Sequence, residues 1–432
     1  MHPAKNTYIR YGILALMTLG IGINYIDRAA VSVALPFISH DLKLSATESG
    51  VILSAFFWCY TFFQLPGGYL VDKLGSRIVF TLSSLGWGIA TLGTGLIKSI
   101  PGLIALRMLL GTAEAPTYPV CSATVTKWFP VRERTSATAT YNNGSKIGGT
   151  LVIPLVSALI AWTSWRTAFI VIGAAAILWA LAWYLYYRDP EHHPTVSPQE
   201  KALIGVDAPQ QQDNPMTIRQ LCANRTVQAM SVGLFCVDFV SYFFFTWFPT
   251  YLIQTFHLTL LSFGFIGMLP GIAAIIGGWA GGWLSDGLVR RGASLTKARK
   301  IPLVIGLLGS TAIALAAFSP TIVVSMAALC TANFSATLAA AVMWTLPSDV
   351  APSKSNVATI GGIQNMVGNL AGIISPIMVG MIMQATHSFI LPLVIAGVIG
   401  IVGAITYGIW LPEVKPIEPR TAGVRLKKGE SL

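Results

Sequence analysis

The chain has 432 residues, 54% of them hydrophobic and only 10% charged, with a mean hydropathy of +0.66. Soluble domains carry about 25% charged residues, so the composition places this chain in lipid rather than water. Its net charge of +11 would suit a nucleic acid, but the charges are distributed as in a membrane topology, and no nucleic-acid partner is expected.

In chain order, apolar runs of about 20 residues or more fill nearly the whole length, each enough to cross a ~30 Å hydrocarbon layer. Twelve helices are predicted, at about 11–37, 46–70, 77–98, 101–123, 134–160, 166–187, 227–254, 262–285, 301–318, 320–347, 354–384 and 388–411. The first run is too long for a signal-peptide core and holds Asp27 and Arg28, so no cleavage is expected. Cys59, Cys121, Cys236 and Cys330 lie inside apolar runs and Cys222 just before one, which argues against a disulfide scaffold. An even number of crossings puts both ends on one side. Of the 28 Lys and Arg, 22 fall on that side, Lys43, Lys98 and Arg166 on the other, and Arg28, Arg107 and Lys146 within the membrane. The positive-inside rule then makes both termini cytoplasmic.

The polar segment 188–220 reads as a linker between two six-helix halves, with a short surface helix at KALIG. Its His192 and His193 lack further ligands nearby, and no metal is expected. The organisation is therefore a cytoplasmic N-terminus at 1–10, a bundle at 11–187, a linker at 188–226, a second bundle at 227–411 and a basic cytoplasmic tail at 412–432. GGYLVDKLGSR from Gly67 returns as GGWLSDGLVRRG from Gly281, each at the cytoplasmic end of the second helix of its half. Asn143 and Pro154 of the fifth helix are echoed by Asn365 and Pro376 of the eleventh. Matching elements in one orientation imply parallel repeats with a binding site between them near the midplane.

These loop motifs, with RMLLG at 107–111, resemble the major facilitator superfamily. NYIDRAAVSVA at 24–34, FFWCYTFFQLPGG at 56–68, LRMLLGTAEAPTYP at 106–119, KWFPVRERTSA at 127–137 and TWFPTYL at 246–252 look more narrowly like the anion:cation symporter family. That family includes bacterial hexonate, hexarate and hexuronate permeases and is similar to vesicular glutamate transporters and sialin. The resemblance covers essentially the whole chain. It implies an all-α polytopic membrane protein with the major facilitator fold: two six-helix bundles, twelve transmembrane helices, related by a pseudo-two-fold axis along the membrane normal. It also implies a monomer in the cytoplasmic (inner) membrane of a bacterium.

Ionisable groups at mid-membrane cost ~2.5–3.5 kcal/mol each on insertion scales and usually face a functional cavity. Here they are Arg28, Arg107 and Lys146 against Asp27, Glu114 and Asp238. Fully charged, the set sums to zero, so three internal salt bridges that lock helices together are one reading. The other starts from titration. A carboxylate in low dielectric resists ionising, and a nearby guanidinium favours it, so Asp27 and Glu114 are expected to exchange protons. Protonated, they leave surplus positive charge that attracts an anion, and the anion must raise proton affinity in return. In the resembling permeases, the residues matching Asp27 and Glu114 are proton-coupling acids and the match at Arg107 supports them. Arg107 and Glu114, seven apart, share a helix face about 10 Å apart along the axis, too far to pair with one another. Arg28, a planar fork, suits a substrate carboxylate or a permanent acid partner.

Lys146 and Asp238 share a depth, ~18 Å in from the cytoplasmic starts of their helices. They read either as a structural pair or as substrate groups. Charges are unusual there in the resembling permeases, and an extra Lys would suit a dicarboxylate. Tyr60, Gln64, Asn142, Asn143, Gln364, Asn365 and Asn369 offer partners to a hydroxylated or dicarboxylic ligand, or act as helix–helix glue. Trp344 matches an aromatic substrate contact of the family, and Ser145 stands where some relatives have Gln. Asp72, Arg77, Asp286 and Arg290 are expected to gate, with acids at helix ends holding the positive N-terminus of another helix and neighbouring Arg. The resemblance implies that Asp72 and Arg77 stabilise the outward-facing state.

No GxSxG turn, HExxH helix or GxxxxGK[ST] loop occurs, and an enzyme is not expected. The expected function is proton-coupled symport of a small organic carboxylate, such as a hexonate, hexarate or hexuronate, into the cell by alternating access. The partners are then the organic anion, the proton as coupling ion and the lipid bilayer, with no cofactor. A dicarboxylate or aromatic carboxylate, or uniport or antiport of an organic anion, is the alternative.

Overall fold

A computed structural model describes residues 8–204 and 216–418. Lys5, the middle of the linker and most of the basic tail lie outside the described residues. The first half holds α1 (Ile9–Leu42), α2 (Ala46–Leu96), α3 (Ile100–Glu114), α4 (Thr117–Trp128), α5 (Val131–Trp162) and α6 (Trp165–Tyr186). The short α7 (Pro198–Ile204), the expected surface helix, and α8 (Ile218–Cys222) follow. The second half holds α9 (Arg225–Thr246), α10 (Phe248–Phe256), α11 (Leu260–Ile266), α12 (Leu269–Arg290), α13 (Leu295–Ser310), α14 (Ile313–Ala316), α15 (Ile322–Met343), α16 (Leu346–Val350), α17 (Lys354–Thr386) and α18 (Ile390–Ile405), the last continued by one π turn, Thr406–Trp410. Among the described residues, ten helices or joined helices are long and apolar enough to cross a membrane. The first limb of α2 and the α3–α4 pair complete the twelve predicted crossings.

Several predicted helices are broken where the sequence interrupts the backbone ladder. α2 runs through the predicted second and third crossings and turns at Gly75, whose φ of 80° suits glycine. The fourth crossing divides at Ala115–Pro116, because proline supplies no N–H to the preceding turn. Far-side turns are locally encoded. Lys43 ends α1 in the left-handed region, donating its N–H to Ser39 O. Ser45 and Glu48 then form a reciprocal capping box that starts α2.

Both ends of the described chain lie on one face, the termini side. There Arg10 holds Glu133 of α5 at 3.2 Å and Glu200 of α7 at 3.4 Å, tying the linker helix to the first half. The halves meet on the opposite, far side, where α2 packs along α17 and α5 along α11. One apolar core spans both halves there, with Ala34, Ile52 and Val156 packed with Phe248, Ala371 and Val379. Two further cores are separate. One has all its buried members in the first half, including Trp87, Trp128 and Trp183; the other has them in the second, including Leu303, Leu346 and Tyr407. Hydrophobic burial thus seals the far side and leaves the cleft between the halves open toward the termini.

Candidate functional site

The charges of α1 and α3 meet near mid-membrane because the two helices approach α2 closely. A Cβ on Gly111 would lie 2.1 Å from Phe56 O, so only glycine lets α3 reach this depth. Glu114, fully buried, then meets Arg28, whose Nε and Nη2 donate to Glu114 Oε2 at 3.0 and 2.7 Å. The second oxygen, Oε1, has no partner. Arg28 also lies over the rings of Tyr25, Phe56 and Tyr60 at 4.7, 4.5 and 4.7 Å, contacts worth about 0.5–2 kcal/mol each. Arg107 donates to Arg28 O at 3.4 Å and lies over Phe56. The separate partners that Arg107 and Glu114 needed are thus both supplied by Arg28.

Asp27 lies beside this pair without bonding to it. It is 1% exposed, and both its oxygens are buried without a hydrogen bond, as are both amide atoms of Asn24 one turn earlier. Successive residues diverge on a helix, so Asn24 and Asp27 occupy an internal face while Tyr25 and Arg28 occupy the neighbouring one. An unsatisfied buried carboxylate is unfavourable by several kcal/mol when charged. Sequence reasoning missed Asn24, Tyr25, Tyr118 and Tyr242. The i, i+3 spacing of Asn24 with Asp27 and of Tyr25 with Arg28 would have found two of them. Tyr25 and Tyr118 share a hydroxyl contact at 3.1 Å, and Tyr242 donates to Asn369 at 2.8 Å.

Gln64 and Asn365 join the halves, Asn365 Nδ2 donating to Gln64 Oε1 at 3.0 Å. Tyr60 is buried and stacked on Phe56. A cavity of about 260 Å³ lies between α1 and α5 of the first half and α9, α10, α12 and α15 of the second, bordered by Tyr25, Ser145, Lys146, Phe245, Asn333 and Thr337 among others. Asn142 is half-buried and Asn143 exposed on the same helix as Lys146.

The remaining candidate residues lie apart from this centre. Lys146 and Asp238 form no ion pair: Lys146 Nζ sits by Gly278 of α12, whereas Asp238 Oδ2 sits by Gly368 of α17, because their helices face different neighbours. Gln364 is fully buried with both amide atoms unpartnered. Trp344 is 53% exposed at the end of α15 and borders no part of the cavity, because the helix unwinds there into α16. The residues expected to gate do not join the halves in this conformation. Asp72, Asp286 and Arg290 are exposed and, among the described residues, unpaired. Arg77 donates to Tyr184 O at 3.1 and 2.9 Å within its own half. The open termini side separates the helix ends these residues would bridge.

The sequence profile described as Major Facilitator Superfamily matches residues 17–376. The chain belongs to that superfamily. Within the Major Facilitator Superfamily, a D-galactonate transporter of Escherichia coli O6:H1 is 35% identical over 428 residues, covering 96% of this chain and 99% of its own. A probable galactarate/D-glucarate transporter, GudP, of Bacillus subtilis is 34% identical, covering 96% and 94%. A probable sulfoacetate transporter, SauU, of Cupriavidus necator is 34% identical, covering 92% of each. The similarity to sugar-acid permeases that the motifs suggested is therefore borne out. Among solved structures, a bacterial homolog of the human lysosomal transporter Spinster, inward-facing and occupied, aligns with a TM-score of 0.78 at 19% identity, covering 94% of this chain and 97% of its own. The fold is the two-bundle fold of this superfamily. The chain is a multi-pass membrane transporter, not an enzyme.

Proposed function

We propose that this transporter carries a sugar acid into the cell together with protons, by rocking its halves about the central site. The observation that carries this reading is the Arg28–Glu114 pair: both donors of the Arg28 fork rest on one oxygen of a fully buried acid, whose other oxygen is unmatched. When Glu114 is ionised it competes with the substrate for Arg28. When it takes a proton it loses its hold, and the guanidinium turns to the substrate carboxylate in a two-point contact. Substrate and proton thereby favour each other's binding by one coupling free energy. Asp27, buried beside the pair and unpartnered, is the second proton carrier. The relatives' names support a sugar acid as the cargo. The charge bias of the loops supports cytoplasmic termini in a bacterial inner membrane, so the conformation described faces inward.

Reconstituted vesicles with an imposed pH gradient test the proposal. At zero membrane potential, each proton carried per substrate lets a gradient of about one pH unit sustain about tenfold accumulation of galactonate or galactarate. Uptake that ignores the gradient would refute the coupling.

A further inference from the structure

The cavity between the halves holds a cation that the Arg28–Glu114 centre does not use. Lys146 stands midway along α5 (Val131–Trp162), borders the cavity and is exposed to it. Among the described residues it makes no ion pair and no side-chain hydrogen bond, and no acid borders the cavity. Three neighbouring hydroxyls are already committed: Ser145 donates to Asn142 O at 2.6 Å, Ser241 to Val237 O at 2.9 Å and Thr337 to Ala274 O at 2.8 Å. They present lone pairs, which do not attract an anion. Lys146 is therefore the group in this cavity that draws negative charge. Tyr25, whose ring carries the Arg28 guanidinium, borders the same cavity, so one ring of the lining stands between the cavity and Arg28. A mid-membrane ammonium without an internal counter-ion is costly, and an anion supplied by a ligand offsets that cost.

We infer that Lys146 recognises a second acidic group, so that the preferred substrate has two negative ends, one read by Arg28 and the other by Lys146. This deepens the sugar-acid reading above and rests on it.

Galactarate and galactonate make a matched test: the six-carbon chain is shared, and a carboxylate at one end replaces a hydroxymethyl group. At about pH 7 both acids of galactarate are ionised. Calorimetry on the purified full chain is expected to show galactarate bound at least about tenfold more tightly than galactonate. Lys146→Gln should reduce that ratio to about twofold or less, and Lys146→Arg should keep it. Galactonate bound as tightly as galactarate by the unaltered protein, or a ratio unchanged by Lys146→Gln, overturns the inference. If neither acid binds, the sugar-acid reading fails separately, and succinate against butyrate puts the same question. A Lys146-dependent preference for succinate then upholds the inference, and its absence overturns it.

Discussion

Arg28 and Glu114, 86 residues apart in sequence, make the shortest link between α1 and α3, with Nη2 of one 2.7 Å from Oε2 of the other. Glu114 is sealed from solvent, while the Arg28 side chain keeps 11% of its surface exposed. The acid is thus the hidden partner and the guanidinium the one within reach of the cleft. This asymmetry generates most of what the protein is expected to do.

Glu114→Gln fixes the neutral form of the acid and releases Arg28. Counterflow exchange should persist, with substrate affinity varying less with pH, while gradient-driven accumulation is lost and the internal concentration rises no higher than the external. Accumulation at the unaltered level would show that Glu114 carries no proton.

Arg28→Lys replaces the two-donor fork by a point charge. Substrate affinity should fall about 10- to 100-fold, the range of a lost charge-assisted hydrogen bond of ~1.5–3 kcal/mol. Unchanged affinity in a binding titration removes Arg28 as the carboxylate anchor.

Asp27→Asn tests a different point, since the native carboxylate has no hydrogen bond to lose. Thermal unfolding in detergent should show a midpoint equal to or above that of the unaltered protein, because a buried unpaired charge or proton site is removed. Gradient-driven accumulation should nonetheless disappear. A large drop in the midpoint would mean that Asp27 holds the fold together.

Gly50 and Gly380 govern the far-side seal. A Cβ on Gly50 would lie 2.4 Å from Pro376 O, and one on Gly380 would lie 2.5 Å from Ala46 O. Gly50→Val should therefore prop open the α2–α17 crossing. Labelling of a Thr47→Cys probe by an impermeant thiol reagent should rise about tenfold or more, and transport should fall in step. Unchanged labelling would show that this crossing does not close the far side.

Much of this architecture was legible in the sequence. The twelve crossings follow from apolar run length, the two halves from the repeated GG-x-L-x-D motif, and the common face of Arg107 and Glu114 from a spacing of seven. Helical periodicity says which residues share a face, but not which neighbouring helix that face meets. That is why Lys146 and Asp238, equal in depth, fit a pair by sequence yet lie against different helices. For the same reason periodicity does not tell Gln364, buried with its amide unpartnered, from Asn365, which bonds Gln64 of the other half. The gating roles expected of Asp72 and Asp286 concern a conformation in which the termini side is closed, and a structure open on that side leaves both exposed.

The central claim is that substrate and proton bind together through Glu114. The most direct test is to add galactonate or galactarate to purified protein in weakly buffered detergent solution and follow the pH of the medium. The account predicts net proton uptake on binding by the unaltered protein and a clear loss of that uptake in Glu114→Gln. Binding with no proton uptake, or with the same uptake in both proteins, would contradict it.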